Sequence, residues 1–266
     1  MMRSELVRLR RSSLIALHVT LAAAIGLAAG WYFAVTPWDA LLAYDAFVQL
    51  LGAGAALLAG ISCGLSIDAE RDAGDYANLL GHPARRRAFA AKATVLLGLG
   101  ALACLDALLL FVGVLAAAGK PTPSTATVAL SFLALTTGAA ALYAIALAAA
   151  LARGRNASIA VGALGFMIAL ASLGGLGNGL VTGTLSASIA PLFLIAFPFT
   201  WPARLAALSI EVPLAAKGAV STPTALEALV ANAQISIAVC VVGSILIAIM
   251  WLAWVNRFED HHRAQE

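Results

Sequence analysis

Residues 68–92 read DAERDAGDYANLLGHPARRRAFAAK, and they hold nine of the chain's charged side chains, which number 16 Lys or Arg and 13 Asp or Glu in all. On either side lie long runs of Ala, Leu, Val and Gly that partition into lipid. A dense polar hairpin between two apolar runs is the pattern of a water-exposed loop joining membrane spans. Its first half is acidic (Asp68, Glu70, Asp72, Asp75), which reads as a helix start, where the macrodipole favours negative charge. Its second half is basic (Arg85, Arg86, Arg87, Lys92), and Gly81-His82-Pro83 breaks the two apart. Ala69, Ala73, Tyr76 and Leu80 recur at helical spacing, so the pattern predicts a short amphipathic helix offering an apolar stripe on the water side.

Composition extends that reading to the whole chain. Of 266 residues 62% are hydrophobic and 11% charged, with a mean hydropathy of +0.95, far from the profile of soluble domains. The expected fold is all-α: a polytopic membrane helix bundle, 1–266 forming a single domain. A span needs about 20 apolar residues. Six segments qualify: Leu14 to Phe33, Phe47 to Ile67, Ala93 to Ala118, Val128 to Leu151, Ser158 to Leu176, and Leu229 to Trp254. Residues 1–13 read as an interfacial helix. The run from Leu180 to Phe199 is interrupted by Gly183, Ser186, Ser188, Pro191 and Pro198. It reads as a re-entrant or surface pair of short helices within an external segment 177–228, with a seventh span as the alternative. In the first case Trp201-Pro202 marks the outer interface.

Basic residues set the orientation. Thirteen Lys and Arg fall at the N-terminus, in the 68–92 loop, at Arg153-Gly154-Arg155 and at the C-terminus, against three (Lys120, Arg204, Lys217) on the other side. The positive-inside rule then puts both termini in the cytoplasm. A cleaved signal peptide fits the N-terminus only superficially, since the apolar run continues through Trp31-Tyr32.

Within the spans the sequence offers packing rules more than chemistry. Gly52, Ala56, Gly60 and Gly64 form a small-residue ridge on the second span, and Ala22, Gly26 and Gly30 another on the first. Each fits either packing within the chain or a subunit interface. Cys63, Cys104 and Cys240 lie unpaired in apolar runs and read as core residues. Asp106 is a carboxylate near the middle of a span, where a charge costs on the order of 3 kcal/mol unless paired or protonated. It either lines a polar cavity or hydrogen-bonds Thr136 or Thr137 at similar depth. His18 reads as an interfacial or packed histidine. No metal-ligand pairing of His and no Gly-x-Ser-x-Gly occurs, and nothing supports nucleic-acid binding. Gly119-Lys120-Pro121 is the only Gly-Lys pair and has no P-loop around it, so ATP cannot be held that way on this chain.

The loop residues Glu70, Gly74, Leu79-Leu80, Pro83, Arg86 and Lys92 resemble the Glu-x-x-x-Gly, Leu-Leu, Pro-x-x-Arg, Lys pattern of type-2 ABC exporter permeases. The start, Glu5-Leu6-Val7-Arg8-Leu9-Arg10-Arg11-Ser12, resembles the amphipathic N-terminal helix of the lantibiotic-immunity subgroup, which confers immunity to bacteriocins. The architecture match spans the chain, whereas the motif match is confined to these two stretches; Asp106 maps onto no family motif. The resemblance implies a non-enzymatic transport subunit in a bacterial inner membrane, exporting a peptide antibiotic, drug or lipid-like amphiphile. Its partners would be a cytosolic ABC ATPase subunit, a second permease subunit and membrane lipid. No cofactor is implied on this chain, ATP and Mg belonging to the partner. The implied coupling interface is Asp68, Glu70, Gly74, Tyr76, Leu79, Leu80, Pro83 and Arg86. The rival readings are a non-transport assembly protein with another cytosolic partner, and a proton-coupled transporter using Asp106.

Overall fold

The computed structural model describes residues 2–10, 12–74, 76, 79, 81, 84–173, 180, 185, 192–216 and 223–258. These form helices α1 (Met2–Arg10), α2 (Ser13–Val35), α3 (Ala40–Asp72), α4 (Arg85–Ala117), α5 (Thr125–Arg153), α6 (Arg155–Ser172), α7 (Trp201–Leu214) and α8 (Pro223–Arg257). Two short 3-10 turns, Leu192–Ala196 and Pro198–Thr200, lead into α7, and there is no strand among the described residues. Among the described residues six helices are long and apolar enough to cross a membrane: α2, α3, α4, α5, α6 and Leu226–Arg257 of α8. The all-α polytopic bundle is thus the fold.

Helix ends follow local capping chemistry. The Ser12 hydroxyl accepts from Leu14 N at 3.1 Å, Asp39 Oδ1 from Leu41 N and Leu42 N at 2.9 and 3.0 Å, and Ser124 Oγ from Thr127 N at 3.1 Å. The cap at Asp39 makes α3 begin seven residues before the expected span. At its other end α3 continues to Asp72, so Asp68, Glu70 and Asp72 close the second span and do not open a separate helix. The apolar run simply carries the helix past the membrane boundary into the charged segment.

In hydrocarbon, spans gain little from burying apolar surface and are held by close van der Waals fit, which small residues permit. A Cβ on Gly60 would sit 2.6 Å from Ser158 O and 2.9 Å from Gly162 Cα, and Gly162 returns the constraint with Ala56 O at 2.7 Å. Gly64 faces Arg155, and Gly52 faces Ala203. The ridge on α3 therefore packs against α6 and α7 of the same chain. Gly26 and Gly30 likewise meet Ala107 and Val114 of α4, so that ridge is intramolecular as well.

The start of α7 is clamped between spans: a Cβ on Gly52 would meet Ala203 Cα at 2.5 Å, and one on Gly138 would meet Pro202 Cα at 2.7 Å. Trp201 is buried beside Ala141, Ile195 and Cys240, and its Nε1 donates to Ile195 O at 2.7 Å. Gly52 and Gly138 lie well inside α3 and α5, so Trp201-Pro202 sits in the bundle interior and does not mark an interface with water. At 14 residues α7 falls short of a span, and it runs from that interior point toward the membrane face opposite α1. Broken backbone at this depth is tolerated because protein surrounds it. Of the 180–199 stretch, 181–184 and 186–191 lie outside the described residues.

One face of the bundle gathers the charged ends. The α1 helix, the end of α3, the start of α4, the α5–α6 turn and the end of α8 meet there, tied by Arg155 to Asp68 at 2.9 Å and by Arg85 Nη1 donating to Phe258 O at 3.3 Å.

Gly60→Leu is expected to destabilise the purified protein by roughly 1–3 kcal/mol through overpacking. Gly54→Leu, where the space is open, is expected to leave it unchanged. Thermal unfolding in detergent checks the pair; equal melting temperatures would contradict the close-approach account.

Candidate partner-docking site

Glu70, one turn from the end of α3, is 5% exposed, and Lys92, in the second turn of α4, is 3% exposed. Lys92 Nζ lies 2.9 Å from Glu70 Oε1 and 3.1 Å from Glu5 Oε2, and donates to Ser66 Oγ at 3.1 Å. Arg8 of α1 pairs with the same Glu70 Oε1 and with Glu5 Oε1 at 3.5 Å. Two carboxylates and two cations thus form a neutral cluster at the junction of α1, α3 and α4. Neutrality matters because an unpaired charge removed from water costs several kcal/mol. The cluster borders a cavity of ≈ 190 Å³ into which Leu9, Leu14 and Leu96 also project.

The chain after α3 turns inward. Gly74 (φ 143°) and Tyr76 (φ 61°) both adopt left-handed backbone, which reverses the chain. Tyr76 N donates to Glu70 O at 3.4 Å, and Leu79 N to Tyr76 O at 2.8 Å. Tyr76 and Leu79 are 5% and 1% exposed, packed in a core cluster with Phe89, Trp251 and Val255.

These positions divide the implied coupling residues. Glu70, Tyr76 and Leu79 are internal, which corrects the expectation that they face a partner: the cluster consumes the Glu70 charge, and the reversal at Gly74 turns the aromatic ring into the core. Asp68 is half-buried and engaged by Arg155. Gly74 and Arg86 are exposed, together with Ala69, Arg71, Asp72, Ala73, Gly81 and Arg87. The stripe Ala69, Ala73, Tyr76, Leu80 is accordingly split, its first two members outward and Tyr76 inward. Leu80 and Pro83 lie outside the described residues, as do Asp75 and His82.

Asp106 makes no hydrogen bond to Thr136 or Thr137. The Thr137 hydroxyl donates to Leu133 O of its own helix at 2.7 Å, and the Thr136 hydroxyl is buried without a partner. Asp106 faces the other way, into a cavity of ≈ 810 Å³ between α1, α2 and α4 that neither threonine lines. His18, on the rim of that cavity, is 1% exposed, its Nδ1 donating to Leu14 O at 2.7 Å and its Nε2 3.1 Å from Ser62 Oγ. It is a packed histidine, as its position implies.

A second polar cluster, absent from the sequence expectations, lies at the opposite membrane face. Asp45 and Glu211 are 6% and 0% exposed, and Gln49 Nε2 donates to Asp45 Oδ2 at 2.8 Å. Glu211 lies close enough to Asp45 for the two carboxyls to interact electrostatically. Asp39 as a helix cap was the available signal: with α3 begun there, Asp45 and Gln49 fall one turn apart on the same face.

Six spans, a charged hairpin between the second and third, and a helix lying across that hairpin's base set the frame for comparison. The family model described as "ABC-2 family transporter protein" matches residues 1–173, from α1 through α6. The chain belongs to the ABC-2 transporter family. No curated protein and no solved structure matches it. As an ABC-2 permease it is a multi-pass transport subunit, of a family whose members typically work with an ATP-binding subunit and are generally not catalytic themselves.

Breaking the buried cluster of this permease by Glu70→Ala leaves Lys92 without its nearest carboxylate and is expected to cost roughly 3–5 kcal/mol. The Glu70→Leu/Lys92→Met pair, which removes both charges, is expected to be less harmful than either single change. A double-mutant cycle in thermal unfolding checks this; additive effects would show that the two side chains do not interact.

Proposed function

We propose that this chain is the membrane permease of an ATP-driven exporter whose separate cytosolic ATPase binds the exposed strip Arg71, Asp72, Ala73, Gly74, Arg86 and Arg87. The observation that carries the reading is the junction behind that strip. Glu70 and Lys92, buried beneath it, join α1, α3 and α4 by ion pairs. A push on the strip therefore reaches the N-terminal helix and both spans at once. The basic charge on this face supports a cytoplasmic placement of the loop and of both termini. In this reading nucleotide chemistry, with its Mg, belongs to the partner, and the lack of a P-loop motif in the sequence supports that assignment.

The working assembly in this reading contains a second permease subunit, identical or homologous. The lipid-facing sides of α2, α6 and α8, the least buried spans, offer the surface for it and for the bilayer. The cargo is amphiphilic, drawn from the membrane and expelled. The N-terminal run Glu5 to Ser12 favours peptide antibiotics within that class, and with them a role in bacteriocin immunity.

Arg86→Glu/Arg87→Glu is the decisive variant, since both side chains are exposed and their loss leaves the bundle intact. It is expected to weaken co-purification of the ATPase roughly tenfold or more and to reduce export in parallel, with an unchanged melting temperature. Full export by this variant would sink the docking role.

A further inference from the structure

Helix α1 has two faces with different work. Glu5 and Arg8 join the ion cluster, while Arg3, Leu6, Val7 and Arg10 recur at the three-, four- and seven-residue spacing of one helical stripe and all line the ≈ 810 Å³ cavity. Neither Arg3 nor Arg10 forms an ion pair among the described residues, whereas Arg8 pairs twice. The stripe is therefore cationic at both ends and apolar between them. Across from it stand Val19 of α2 and Leu99, Leu102 and Ala103 of α4. Val19 and Leu102 are 55% and 65% exposed, so this wall is open to the acyl region of the bilayer. The carboxyl of Asp106, two helical turns beyond Leu99, closes the row.

We propose that this cavity binds an anionic glycerophospholipid of the leaflet next to α1, its phosphate between Arg3 and Arg10 and an acyl chain along Val19, Leu99 and Leu102. Charge complementarity selects the headgroup: two guanidiniums that form no ion pair among the described residues face the leaflet surface, each worth about 1 kcal/mol toward anionic lipid. The apolar wall selects a tethered phosphate over a free one, because a hydrated anion gains nothing from Leu102 and Val19. The end of the cavity at Asp106 offers a phosphate no positive charge, so the two arginines hold the headgroup at their own end. The volume falls within the roughly 300–1,000 Å³ of ligand cavities and suits a headgroup with the upper part of one chain. The exposed Met2, Leu6 and Val7, each about half exposed, are the side chains of a helix lying in the interface plane. This inference concerns lipid alone and stands whether or not an ATPase docks on the hairpin.

The test is native mass spectrometry of the full-length protein released from detergent containing equimolar dioleoyl-phosphatidylglycerol and dioleoyl-phosphatidylcholine. The wild type is expected to retain the anionic lipid in preference. Arg3→Ala/Arg10→Ala is expected to lower that preference roughly thirtyfold, and Arg3→Lys/Arg10→Lys to restore most of it. Inorganic phosphate at millimolar concentration is expected to displace none of the lipid. Equal retention of the two lipids by the wild type, an unchanged preference in the alanine variant, or displacement by phosphate would overturn the proposal.

Discussion

A carboxylate at the base of the second span that is 5% exposed has to be neutralised, and the way Glu70 is neutralised organises the charged face of this permease. Lys92 reaches it from α4 and Arg8 from α1, and Glu5 balances the added positive charge. Without Glu70, Lys92 would keep only Glu5 as a counter-charge, and α1 would lose one of the two ion-pair links that tie it to the bundle. With it, a nine-residue helix, too short to be stable alone in water, is fixed against the bundle. The same commitment decides which part of the hairpin is left for a partner.

At membrane depth the constraint changes from charge to distance. Lipid competes equally well for apolar side chains, so helices that must stay together do so by excluding side-chain bulk between their backbones. Gly60 against Gly162 joins α3 to α6, and Gly26 and Gly30 join α2 to α4. Gly52 and Gly138 do the same work for a non-spanning helix, holding Pro202 between α3 and α5. That clamp explains how α7 can begin inside the bundle with a buried Trp201 and two preceding 3-10 turns. Thr200 Oγ1 donates to Leu194 O and Trp201 Nε1 to Ile195 O, so side chains satisfy carbonyls that a continuous helix would have served.

Much of this was legible in residue order. Apolar length gave all six spans, and the charge-dense 68–92 stretch located the polar hairpin, because hydropathy is a local property that tertiary contacts do not alter. What the order could not give was direction. Glu70 and Tyr76 read as docking residues because they are polar and amphipathic in register, yet the left-handed turn at Gly74 and Tyr76 and the cation at Lys92, 22 residues on, draw them inward. Trp201-Pro202 has the composition of an interfacial pair, and only the two glycines in distant helices reveal that it is interior. Depth alone leaves Asp106 either lining a cavity or reaching Thr136 or Thr137, whereas rotation about the helix axis decides contacts and turns it toward the cavity beside α1 and α2. Asp45 was lost because a hydropathy window trims charged ends, although the cap at Asp39 announces a longer helix.

The division of charge along α1 follows from these same constraints. A helix bound through Glu5 and Arg8 presents the residues one, two and five positions from them on its other side, and the sequence places Arg3, Leu6, Val7 and Arg10 there. Rotating α1 by a third of a turn would bury Arg3 or Arg10 without a counter-charge and pull Arg8 from Glu70, so the ion cluster fixes the register of the outer face as firmly as its own. The face toward the bilayer and the face toward the hairpin are then mechanically one object. Any displacement of α3 against α4 that moves Glu70 or Lys92 must also tilt Arg3 and Arg10 relative to Leu99 and Leu102, which couples the shape of the lipid-side cavity to the position of the loop.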